Sequence, residues 1–113
     1  MSDLTSTAIF TSHPPSGSEG LRPNSILSEA LLQNEHVKAV RFVFAAGQEL
    51  SEHAASVPAM IHQVSGKAEW DLDGKVHEAS PGDWAYMPPS LKHTIKAVED
   101  CVFLLLLLKG GAK

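Results

Sequence analysis

The stretch Ala68-Glu69-Trp70-Asp71-Leu72-Asp73-Gly74-Lys75-Val76-His77-Glu78-Ala79 decides the fold. In its first five residues apolar and acidic side chains alternate, the period of a strand with one buried face. Asp73-Gly74 suits a two-residue type I′ turn, whose central positions both need positive φ. Lys75 to Ala79 then returns, so the stretch predicts a β-hairpin.

Working outward, the same alternation of short apolar runs and turn residues continues. Pro81-Gly82-Asp83 makes a turn before Trp84-Ala85-Tyr86-Met87, and Pro88-Pro89-Ser90 makes the next. Leu91 to Val98 and Cys101 to Lys109 follow. Upstream, Ala59 to Val64 is closed by Ser65-Gly66, and Val37 to Phe44, rich in β-branched and aromatic residues, is ended by Gly47. Ile26 to Gln33 has a helix-capping Ser25 before it and Glu29 within it, yet a strand or short turn fits this series better. Regularly spaced short strands predict an all-β sandwich or closed barrel.

At 113 residues the chain makes one domain. Thr11 to Pro23 holds three prolines and two glycines, a composition that resists both ladder and helix. Residues 1–23 are therefore expected to form an extended arm, disordered or laid across a neighbouring subunit, with His13 solvated. Residues 24–113 form the barrel. A net charge of −4 without paired Lys or Arg argues against nucleic acid. The run Cys101 to Leu108 is too short to span a bilayer and reads as a strand buried on both faces. Met1 to Phe10 carries no basic residue, so no signal peptide is expected, and the lone Cys101 fits a reducing cytoplasm as a core residue.

In this setting the residues resemble the cupin superfamily, the RmlC-like jelly rolls. Gly82, Pro88 and His93 stand at the spacing of the family's second motif, with Ser90 and Ala97 replacing its second Gly and its Asn. Gly47, His53 and Gly66 stand at the spacing of the first motif. Ala55 replaces its second His, and Ala59 (or Met60, with the longer gap) replaces its Glu. The resemblance covers roughly Val37 to Lys109 and implies a double-stranded β-helix, often dimeric. Two of the four usual metal ligands are missing.

What remains implies a divalent ion (Fe, Mn, Ni or Zn) held by His53 and His93, provided a third donor joins. Strand alternation limits the choice. If Ala59 faces inward, Ile61 and Gln63 share its face, while Met60, His62 and Val64 face away. Gln63 is then the third donor, and a one-residue register shift would substitute His62. Glu49, in phase with His53, is a more distant carboxylate candidate. His36 and His77 read as surface residues near strand ends. Ala55, Ala59, Met60, Ile61, Met87 and Ile95 are expected to line a largely apolar pocket.

Three functions fit these residues. One is a metal-dependent enzyme, dioxygenase-like, acting on a small apolar organic molecule. Another is a metal-free small-molecule binding or sensing module in which both histidines orient the ligand. The third is a cofactor-free isomerase with His53 as general base. A homodimer is expected, because Leu104 to Leu108 needs cover on both faces.

Overall fold

The computed structural model describes residues 8–13 and 21–109, and of residues 51–53 the backbone. The described residues form nine strands and no helix. These are β1 (Ile26–Gln33), β2 (Val37–Phe44), β3 (Glu49–His53), β4 (Ala59–Ser65), β5 (Ala68–Leu72), β6 (Lys75–Ala79), β7 (Trp84–Met87), β8 (His93–Ala97) and β9 (Cys101–Leu108). They build two facing antiparallel sheets, ordered β1-β2-β9-β4-β7 and β3-β8-β5-β6. Consecutive strands often cross from one sheet to the other, the double-stranded β-helix that the resemblance implies.

The hairpin expected over Ala68 to Ala79 is β5–β6, with Asp73 at φ 55° and Gly74 at φ 90°. Ile26–Gln33 is a strand, paired with β2 through a ladder interrupted between Ala30 and Leu32. Period-two burial is clearest in β4, β5 and β8: Ala59, Ile61, Gln63, Ala68, Trp70, His93, Ile95 and Ala97 are buried and their neighbours are not. These faces meet Phe44, Cys101, Phe103 and Leu105 in one core. Phe103 anchors it, stacked on Phe42 at 5.0 Å and edge-on to Phe44 at 5.1 Å. Each such ring or branched aliphatic removed from water contributes about 1.5–3 kcal/mol. In β9, Leu105 and Leu107 pack inward while Leu104 and Leu106 lie half-buried on the outer face.

Part of the expected arm lies outside the described residues, including residues 14–20. His13, expected to be solvated, is instead half-buried. Its Nε2 lies 2.8 Å from the Leu31 carbonyl oxygen and 3.0 Å from Thr11 Oγ1, and its Nδ1 is 3.7 Å from Glu29. The imidazole ties residues 8–13 to β1, because an unpaired polar ring over a strand edge finds the carbonyls that strand leaves open. No helix among the described residues is long and apolar enough to cross a membrane.

Candidate functional site

Three turns hold His93 at the start of β8. Ser90 Nα–H donates to the Ala55 carbonyl (2.7 Å), docking the β7–β8 turn on the β3–β4 connection. Asp73 N–H donates to the Lys92 carbonyl (2.8 Å), docking the β5–β6 hairpin beside it. Within the turn, Ser90 has φ 69°, the left-handed conformation that the family's glycine takes without strain. The serine keeps the turn shape at a conformational cost.

His93 is 5% exposed and faces the barrel interior with Ile95 and Ala97, while Thr94 and Lys96 face outward. Its Nδ1 lies 3.1 Å from the Leu91 carbonyl oxygen. A carbonyl only accepts, so Nδ1 carries the proton and Nε2 is the nitrogen left with a lone pair in the neutral ring. Across the ladder His93 is flanked by Leu72 of β5 and His53 of β3.

The β3–β8 ladder corrects the phase expected for Glu49. Leu50 pairs with Ile95 and His53 pairs with His93, so three residues of β3 span two of β8. This bulge reverses the alternation. Glu49 consequently pairs with exposed Lys96 and stands on the outer face. It shares no face with His93.

Gln63, expected as a third donor, has its Oε1 buried and without a partner among the described residues. It is fully buried on the face of Ala59 and Ile61, as the alternation expects. Its carboxamide, however, turns toward the β4–β5 connection, where Nε2 donates to the carbonyls of Ser65 (3.1 Å) and Gly66 (3.2 Å). That connection leads into Ala68, whereas His93 pairs with Leu72 at the far end of β5, roughly 13 Å away at 3.3 Å per residue. Gln63 therefore serves the opposite end of the barrel. There Gly66 (φ 70°) passes so close to Asp100 and Cys101 that a Cβ would lie 2.1 Å from the Asp100 carbonyl oxygen. Burial pushes the Cys101 thiol above its ordinary range, opposed by the neighbouring Gln63 carboxamide, as suits a core residue and not a nucleophile.

His62 points to the other side of β4, half-buried and stacked on Trp84 with ring centroids 4.0 Å apart. Met60, expected in the pocket lining, is opposite Leu106 and Tyr86 on that same outer face. Ala59, Ile61, Met87 and Ile95 do face inward, as members of the packed core, and Ala55 lies half-buried in the loop that docks on Ser90. His36 is exposed, its N–H capped by Asn34 Oδ1. No group of three or more His, Cys, Asp or Glu suited to a metal occurs among the described residues. A partnership without an expectation from the sequence is that of Trp70 and His77, which are opposite each other in the β5–β6 ladder. Its signal was the even count from Trp70 through the turn to His77, which puts both on one face.

The family model described as Cupin domain matches residues 40–107. Among solved structures, the chain is similar to an RmlC-like cupin protein from Desulfovibrio desulfuricans, with 29% identity, a TM-score of 0.77, and coverage of 89% of this chain and 98% of that one. It is similar to a cupin superfamily protein from Desulfitobacterium hafniense, with 28% identity, a TM-score of 0.74, and coverage of 77% and 80%. A conserved protein of unknown function from Streptococcus pyogenes shares 25% identity, with a TM-score of 0.76 over 94% of this chain and all of that one. No curated protein matches the chain.

Proposed function

The chain belongs to the cupin family, and from that premise we propose that it is a small-molecule-binding barrel whose polar anchor is the pair His53 and His93. The observation that carries this reading is the β3–β8 register, in which the two histidines are direct cross-strand partners. Residues so placed present their side chains to one face at a Cβ separation of about 4.5–5.5 Å. We place one small polar group of the ligand at this pair. The Leu91 carbonyl supports the role further, because it sets the tautomer of His93. The inward neighbours Ile95, Ala59 and Met87 favour a largely apolar ligand.

A resident metal is the natural rival, and the donor set argues against a tightly held one. A stable mononuclear site draws three or four ligands from the protein. Glu49 and His62 stand on outer faces, and Gln63, its Oε1 unpartnered, holds its amide at the far end of β4. Among the described residues, an iron, manganese, nickel or zinc ion at this place is offered His93, with His53 opposite it in the ladder. A dioxygenase-like reaction on such an ion lacks its usual support, and a cofactor-free isomerase with His53 as base lacks an identified acid partner. A homodimer in the cytoplasm remains the setting we propose.

Zinc titration and a ligand-observed NMR fragment screen test this reading together. The expected result is weak zinc binding that dialysis against chelator removes, and fragment hits that disappear in His93→Ala. Zinc retained stoichiometrically through dialysis, or hits unchanged in His93→Ala, would overturn it.

A further inference from the structure

Pairing across the five-stranded sheet sorts its outward side chains into rows. One row runs Trp84, His62, Leu104, Arg41 and Glu29 from β7 to β1, and Tyr86, Met60 and Leu106 stand beside it in the next. An antiparallel sheet with one solvated face ordinarily carries polar residues there. The outer face of the other sheet does so, with Glu69, Asp71, Glu78 and Lys96. In the Trp84 row the charged groups are Arg41 and Glu29, and they pair with each other. Leu27 (56% exposed), Trp84 (53%) and Tyr86 (57%) meet solvent on this face instead.

The open features lie at opposite edges, with β9 as the central strand of the order β1-β2-β9-β4-β7. At one edge Trp84 and Tyr86 project from β7, the Trp84 ring stacked on His62. At the other, Leu27, Glu29, Arg41 and Val43 of β1 and β2 line a groove of about 310 Å³. The β7 strand is second out from β9 on its side, and the groove spans the first and second strands on the other. Projection and groove also share a row, that of Trp84, Arg41 and Glu29.

We propose that this face is the interface of a homodimer whose two-fold axis runs along β9, so that Trp84 of each copy enters the β1–β2 groove of the other. Rotation about that axis exchanges the two sides of β9 and leaves each row in place. It brings projection onto groove twice, as an isologous contact requires. The indole then covers the Arg41–Glu29 pair, an aromatic–arginine contact of a kind enriched at interfaces. Area and charge both favour a second copy as the occupant. At about 3.3 Å per residue and 4.8 Å between strands, the five strands present roughly 550 Å², near the ~600 Å² per partner of the smaller specific interfaces. The chain carries a net charge of −4, so two copies repel least through a face on which Arg41 offsets Glu29. The interface rests on the homodimer proposed above, adds its face and register, and is independent of the ligand.

Sedimentation equilibrium of the full chain tests it. The wild type is expected at twice the 12.1 kDa of one chain. Trp84→Glu alters the projection and Leu27→Lys the groove, and each alone is expected to weaken dimerisation more than about tenfold, as loss of an interface anchor does. Both positions are more than half exposed, and circular dichroism checks that each variant folds. An equimolar mixture of the two variants is expected to dimerise again, because one contact is then wild-type and the other opposes Glu to Lys. Val76→Glu, 60% exposed in the other sheet, is expected to leave the dimer intact. A monomeric wild type would overturn the homodimer and this interface together. A dimer that survives both single variants would overturn the interface alone, and a mixture that stays monomeric would overturn the axis along β9.

Discussion

His53 lies directly opposite His93 in the ladder between β3 and β8, and the bulge that brings them together turns Glu49 away. A regular β3 in the same register at Leu50 would have put Glu52, not His53, opposite His93. The extra residue in β3 is thus what assembles the pair, a common use of bulges beside functional sites.

Removing the Glu49 carboxylate should therefore leave the site alone. Glu49→Gln is expected to bind zinc and NMR fragments as the wild type does, with stability changed by less than about 0.5 kcal/mol, as is usual at an exposed position. A tenfold loss of zinc affinity in Glu49→Gln would return the carboxylate to the site.

Gln63 should behave as a structural residue. Gln63→Ala removes two hydrogen bonds to the β4–β5 connection and leaves a cavity, so an unfolding free energy lowered by about 2–4 kcal/mol is expected. Fragment hits that depend on His93 are expected to survive in the variant at temperatures where it is folded. Their loss, with the fold intact by circular dichroism, would count against this assignment.

Two glycine-type positions should respond in opposite directions. Ser90→Gly relieves a left-handed conformation and is expected to stabilise by about 0.5–1 kcal/mol, the left-handed penalty less the entropy that glycine adds to the unfolded chain. Gly66→Ala drives a Cβ into the backbone of Asp100 and Cys101 at a positive φ, and is expected to destabilise by more than about 3 kcal/mol. Denaturant midpoints of the two variants measure both.

Much of this architecture was legible in the sequence because its signals are local. Alternation in Ala68 to Leu72, the Asp73-Gly74 turn, and the apolar run from Cys101 each name a strand or turn without reference to distant residues. The inward set Ala59, Ile61 and Gln63 followed from parity once the motif resemblance put Ala59 inward. Parity failed at β3, where Leu50 and His53 both belong to the inner register despite their odd separation. An odd spacing between the one large apolar residue and the motif histidine was the available warning. Position along the strand was a second blind spot: alternation assigns Gln63 to a face but does not say that its amide serves the opposite end of the barrel from His93. His13 found a strand-edge carbonyl that no local pattern announces.

The buried thiol sets a pH dependence at the alkaline end. Burial raises the Cys101 pKa in the folded state above its ordinary 9.0, so the native chain holds that proton more tightly than the unfolded one. The resulting stability is fully present below about pH 9 and declines as pH rises toward the folded-state pKa. Between pH 9 and higher values the wild type is expected to lose stability faster than Cys101→Ala, as read from urea midpoints. Parallel curves would show that the thiol does not ionise on unfolding in this range.

The most direct test of the two-histidine account is elemental analysis of untagged protein purified without chelator, alongside the His53→Ala/His93→Ala double variant. The account predicts metal well below one equivalent per chain, with no difference between the proteins after dialysis. One equivalent of iron, manganese, nickel or zinc that survives dialysis and vanishes in the double variant would contradict it, because such an ion needs a protein donor beyond the pair.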